Sequence, residues 1–238
     1  MDATIFTFLN MGALLGWTLI LLLLISQLSI IQASLPSLIQ QWTTPFFDTA
    51  TAADGERMPI IDLLLFLEGI CFIEVGRIAL GQLKGNLVLG VILHLIRMSC
   101  LLIVLPVGLS SSSDTNVMIS TLVLYSWVLT EVGRYPMYLF PSSNMARYVR
   151  LVLPIVTFPV GAFAEAVGAY WHLKQLLESG DEGATNSFLR WIQVGLLVMV
   201  VGINSLLGPT MAYPALLKKG LPVLMGKADK PTTRRKKD

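Results

Sequence analysis

The chain has 238 residues, of which 54% are AVILMFWYC and only 13% are charged, and its mean hydropathy is +0.70. A soluble domain carries roughly 25% charged residues and roughly 45–50% apolar ones even with Gly counted. The chain therefore lacks the polar surface of a soluble enzyme and reads as neither a disulfide-rich secreted module nor a disordered protein. The net charge is only +2, but eight of the 17 Lys and Arg lie between Lys218 and Lys237. Such a basic tail attracts anionic lipid or reports cytosolic topology, whereas nucleic-acid binding would need a larger basic surface with aromatic or groove-reading elements, which is absent.

A bilayer core of roughly 30 Å takes roughly 20 apolar helical residues. Six stretches meet or approach that length: Ile5–Ile31, Ile60–Leu80, Leu87–Leu109, Val117–Phe140, Val149–Leu173 and Phe188–Leu207. The expected fold is all-α, a polytopic six-transmembrane-helix bundle, with a membrane domain over 1–213 and a basic cytosolic tail over 214–238. Met1–Asp2 is too short and too acidic for the n-region of a signal peptide, so the first span is expected to be retained. The only long polar connection is Gln32–Pro59. Six spans put both termini on one side, and the tail makes that side cytosolic. Lys84, Arg147 and Arg150 then fall inside, while Asp48, Asp54, Glu56, Asp114, Glu178, Asp181 and Glu182 fall outside; Arg57, Lys174 and Arg190 run against the rule.

Ionisable side chains are costly inside a span, so each one there marks a functional or helix-pairing site. They are Glu68, Glu74 and Arg77 in the second span, His94 and Arg97 in the third, Glu131 and Arg134 in the fourth, and Glu165 in the fifth. Glu74–Arg77 and Glu131–Arg134 are spaced i, i+3 and can each neutralise themselves on one helical face. His94 and Arg97 share a face and can reach a carboxylate on another helix. Glu165 has no basic residue three or four positions away; it can hydrogen-bond a neighbouring helix or exchange protons with a bound substrate. Pro159 and Gly161 are expected to loosen the helix beside it. Glu131, Arg134, Tyr135 and Tyr138 form one stripe, in which Tyr138 reads as part of an interfacial aromatic belt. Cys71 and Cys100 lie in apolar runs and read as reduced packing residues. Cys71 and Arg77 have a C-x5-R spacing, but a phosphate-cradling loop needs free backbone N–H groups that a helical Cys71 lacks. No metal set or cofactor is expected.

The motifs resemble one family. Asn10 with Gly16-Trp17, the segment Leu67 to Leu105 with Glu74, Gly81 and Arg97, and above all Trp127 to Phe140 are similar to the very-long-chain 3-hydroxyacyl-CoA dehydratases, also called the protein tyrosine phosphatase-like A family. Trp127 to Phe140 is similar to W-S-x-T-E-x-x-R-Y-x-x-Y, and Arg150 to Glu165 resembles R-Y-x6-Y-P-x-G-x3-E. The resemblance implies a six-span endoplasmic-reticulum enzyme of fatty-acid elongation that removes water from 3-hydroxyacyl-CoA to give trans-2-enoyl-CoA. It also implies a Tyr and Glu catalytic pair seven residues apart, in which the Glu is Glu165.

At the Tyr position this chain has Phe158, and Arg150 is followed by Leu151 rather than Tyr. A phenyl ring neither donates nor accepts a proton. Three readings stand: an active dehydratase in which Tyr135 or another hydroxyl helps, a slow one in which Glu165 works through water, or a non-catalytic homologue that binds acyl chains or scaffolds elongation enzymes. Expected substrate contacts are Arg134, Glu131, Arg150 and Lys84, near a cytosolic mouth for the CoA head; the expected partners are acyl-CoA, membrane lipid and elongation enzymes. The ending Arg235-Lys-Lys-Asp238 approximates a dilysine retrieval signal.

Overall fold

A computed structural model describes residues 3–27, 44–47, 58–82, 86–179 and 187–226. The chain is all-helical over these residues, with six long helices and a short 3-10 turn at Thr44–Phe47. Lys84, the acidic residues Asp48, Asp54, Glu56, Asp181 and Glu182, Arg57 and the Arg235–Asp238 ending lie outside the described residues.

Helix α1 is Ala3–Ser26. It buries Asn10, Ala13, Trp17, Ile20 and Leu24, spaced three and four apart, and turns Phe8, Leu15 and Leu22 outward, as a span with one protein-facing stripe should. Helix α2, Pro59–Ala79, starts with proline at its first position, where no N–H is needed, and stops at Gly81, whose φ of +70° suits glycine. Helix α3 covers Leu87–Leu109; the Asn86 side chain accepts the Leu89 N–H at its start, and a π-helical turn at Cys100–Val104 precedes Pro106. Helix α4 is Asp114–Leu139. Helix α5, Asn144–Glu178, is capped by Ser143 accepting the Ala146 N–H. Helix α6 runs over 187–224 with a π-helical stretch at Ile203–Ala212 around Pro209.

Among the described residues, five helices are long and apolar enough to cross a membrane, α1, α3, α4, α5 and α6, which makes this a multi-pass membrane protein. The sequence predicts six spans, and five are supported among the described residues. Helix α2 is 21 residues long yet carries Asp62, Glu68, Glu74 and Arg77, and does not count among the five. The expected division at 213/214 falls inside α6, which continues to Leu224.

Helix α4 packs on α5, α1 and the end of α3, while α5 packs on α6 and α3. Close approach is set by small residues, as is usual between helices in lipid. A Cβ at Gly133 of α4 would come within 2.7 Å of Leu153 on α5, and one at Gly220 of α6 within 2.3 Å of the Leu151 carbonyl oxygen. Helix α5 stays helical through Pro154 and Pro159. Gly161 does not mark a break there: it lets the Ser126 hydroxyl of α4 sit where a Cβ would be, 2.4 Å from that position.

Candidate functional site

Six of the ionisable residues of the spans meet in one buried ladder in which acids and bases alternate. His94 Nδ1 hydrogen-bonds Glu68 Oε1. Arg97 Nη1 lies 3.3 Å from Glu68 Oε2 and donates at 2.6 Å to Glu131 Oε1. Arg134 Nη2 is 2.7 Å from Glu131 Oε2, and Arg134 Nη1 is 3.5 Å from Glu74 Oε2. The expected Glu131–Arg134 pair forms, and His94 and Arg97 do reach carboxylates on other helices. The expected Glu74–Arg77 pair does not. Glu74 turns to Arg134, while the Arg77 guanidinium lies 3.6 Å over the Phe6 ring and donates to Gln82. A charge inside the bundle is costly unless paired and hydrogen-bonded, which is how α2 accommodates Glu68 and Glu74.

Glu165 stands beside the ladder and forms no salt bridge among the described residues; its hydrogen bonds come from neutral donors. Trp127 Nε1 of α4 donates to its Oε1 at 2.5 Å, and Asn204 Nδ2 of α6 donates to its Oε2 at 2.7 Å. Each oxygen keeps lone pairs beyond those two bonds. The Arg97 guanidinium lies 5.4 Å from the centre of the Trp127 ring, so the ladder and Glu165 share one wall. Between them is a cavity of about 410 Å³, lined by Glu165, Phe158, Glu131, Arg134 and Arg150, together with Arg97, His94 and Asn204. Arg150 sits 4.8 Å from the Tyr138 ring centre, and its buried Nη1 has no hydrogen-bond partner among the described residues. Fifteen residues separate Arg150 from Glu165, about 22 Å along α5, so the cavity is elongated along the helix.

Five of the sequence-derived site residues thus meet in this cavity. Tyr135 does not line it: it is fully buried, and its hydroxyl lies 3.1 Å from Cys71 Sγ and accepts from Arg134 Nη2 at 3.1 Å. The shared stripe misplaces it because four residues on from Glu131 the helix surface has already turned toward α2. Lys84 lies outside the described residues. Cys71 is buried in mid-helix and Cys100 is also free, and Arg77 points away from Cys71, so the C-x5-R spacing forms no anion cradle.

The sequence reading missed Asn204, Trp127 and the hydroxyls of Ser126, Thr130 and Thr157. The signal for Asn204 was present: a lone amide in an apolar run. The three hydroxyls face the cavity but bond the Val123, Ser126 and Leu153 carbonyls of their own helices, and Thr130 and Thr157 meet at 2.7 Å. Their protons are engaged, so none offers the free donor that a phenol at 158 would.

Helices that span a membrane, around a cavity of ionisable groups at bundle depth, define a membrane-embedded protein with a polar interior cavity. Within that class, the family model described as protein tyrosine phosphatase-like protein, PTPLA, matches residues 69–220, and the chain belongs to that family. It is the family of 3-hydroxyacyl-CoA dehydratases of fatty-acid elongation that the motifs resemble. No curated protein and no solved structure matches the chain.

Proposed function

We propose that the protein dehydrates very-long-chain 3-hydroxyacyl-CoA to trans-2-enoyl-CoA in the endoplasmic-reticulum membrane, with six spans, both termini cytosolic and membrane lipid around it. The observation that carries this is Glu165, the family's catalytic carboxyl position, held by Trp127 and Asn204 in a cavity that Arg150 also lines, with a buried Nη1 that has no hydrogen-bond partner among the described residues. The CoA phosphates meet Arg150 at the cytosolic mouth, while the thioester reaches inward. Arg134 has Glu131 and Glu74 as partners, so Arg134 and Glu131 shape the wall, and Arg150, which stacks on Tyr138 and forms no salt bridge among the described residues, supplies the cation for the phosphates.

In this reading Glu165 does both proton transfers. Its carboxylate takes the C2 proton, which the thioester acidifies; the C2 electron pair forms the C2–C3 double bond as the C3–O bond breaks. The same proton, now on Glu165, goes to the departing hydroxide, so water leaves and the carboxylate is restored. General acid–base catalysis of this kind contributes roughly 10²–10⁴-fold. A phenol would share that work, and Phe158 cannot.

A second reading rests on that same residue: a non-catalytic relative that keeps the pocket, binds acyl chains and scaffolds elongation enzymes. Purified protein in lipid nanodiscs given 3-hydroxyacyl-CoA separates the two, together with Phe158→Tyr. The proposal expects enoyl-CoA from the wild type and a faster rate from the variant. Activity confined to Phe158→Tyr selects the second reading. Inactivity of both overturns dehydration altogether.

A further inference from the structure

A second cavity, about 310 Å³, adjoins the first between α5 and α6, and the two share Phe158, Ala162 and Asn204 as wall residues. Their chemistry is opposite. The first is lined by His94, Arg97, Glu131, Arg134, Arg150 and Glu165, whereas the second has no Asp, Glu, Lys, Arg or His in its wall. Small residues keep it open: Ala162 and Ala166 on α5 face Gly208 within the π-helical stretch of α6. Phe158 forms its aromatic end, stacked on Tyr213 with ring centres 6.5 Å apart and planes 8° from parallel. A Cβ at Gly208 would lie 3.8 Å from Phe158 Cζ, so any larger side chain there would extend into this space. On the outer side its wall includes Phe163, which is 65% exposed toward the lipid-facing surface.

We infer that this apolar chamber holds the acyl chain of a thioester whose reacting carbons lie beside Glu165, and that Phe158 is the apolar partition between head and tail compartments. The inference rests on the dehydratase reading for the position of the thioester. A long chain anchored by its polar end has to leave the first cavity, because lying along Arg97, Glu131 and Arg134 would strip polar groups of water without satisfying them. The shared wall is where the charged lining gives way to an apolar one.

The test is equilibrium binding of saturated acyl-CoAs of increasing length, which carry the thioester and the chain but have no 3-hydroxyl to lose. The full chain is used in nanodiscs, as wild type, Gly208→Val and Ala166→Leu. Affinity in the wild type should rise about fourfold for each methylene buried and then level off. Both substitutions narrow the chamber, so both should level off at shorter chains. Ala166→Leu strains no backbone and serves if Gly208→Val does not fold. The same plateau in wild type and variants overturns the inference, as it would if the chamber held a bilayer lipid; so does a lack of binding at every length. Length-dependent binding without any turnover of 3-hydroxyacyl-CoA would instead overturn the dehydratase reading and leave the chamber standing.

Discussion

Glu165 and Glu131 are both buried carboxylates on neighbouring helices, yet they sit in different company. Two arginines hold Glu131, while an indole and an amide hold Glu165. A carboxylate locked between guanidiniums is a structural part; one held only by neutral donors remains open to a substrate proton. The ladder thus belongs to stability, and Arg97 is its centre. Removing one partner of a buried ion pair costs about 3–5 kcal/mol, so Arg97→Met should lower unfolding free energy in detergent by about 3 kcal/mol. Adding Glu68→Gln should recover part of that loss. No recovery in the double variant would assign the loss to Arg97 packing on Trp127 instead of to charge. Single residues of this kind were legible because an ionisable group in an apolar run stands out from its surroundings. Their partners were less so: the sequence spacing paired Glu74 with Arg77, but burial pairs it with Arg134 across helices. Tyr135 shares a stripe with Glu131, yet its hydroxyl sits at Cys71, and no intrahelical spacing reports that.

The elements that form the site are α4, α5 and α6, and their separation is controlled where glycine meets backbone. A Cβ at Gly220 would fall 2.3 Å from the Leu151 carbonyl oxygen and 2.8 Å from Ile155 Cδ1, so Gly220→Ala forces α6 away from α5. Overpacking of this kind costs about 1–3 kcal/mol, readable as a shift in detergent unfolding. Gly195→Ala on the same helix has nothing within 4 Å and should be neutral or slightly stabilising; equal losses at both positions would rule out the contact as the cause. The helices themselves were readable from apolar length, with most ends displaced by a few residues, but the last one, expected to stop at Leu207, continues to Leu224. The π-helical stretch of α6 was not. It begins beside Asn204 and contains Gly208 and Pro209, and bulged turns of this type often accompany functional sites. Hydropathy averages over such a change in winding, so the second cavity had no sequence signature.

Over the whole molecule, the question left by composition is whether α2 crosses the bilayer. Its 21 residues span about 31 Å as a helix, and Glu68 and Glu74 have cationic partners inside the bundle. A six-span arrangement places the N-terminus, Ser143 and Lys218 on one side and Asp114 on the other. Single cysteines at Ser143, Lys218 and Asp114, probed with a membrane-impermeant thiol reagent beside an N-terminal tag, should label accordingly. Cys71 and Cys100 are fully buried and contribute little background. An N-terminal tag on the side opposite Lys218 would mean that α2 does not cross. Charge bias alone carried the topology reading, and Lys84, which helps set it, lies outside the described residues.

The claim on which the account depends is that Glu165 moves the protons. Its most direct test is conversion of 3-hydroxyacyl-CoA to the conjugated enoyl thioester, followed by ultraviolet absorbance, for purified wild type and Glu165→Gln in the same nanodiscs. The account predicts turnover by the wild type and a loss of at least about 100-fold in the variant, with acyl-CoA binding retained. Equal turnover by the two proteins would contradict it.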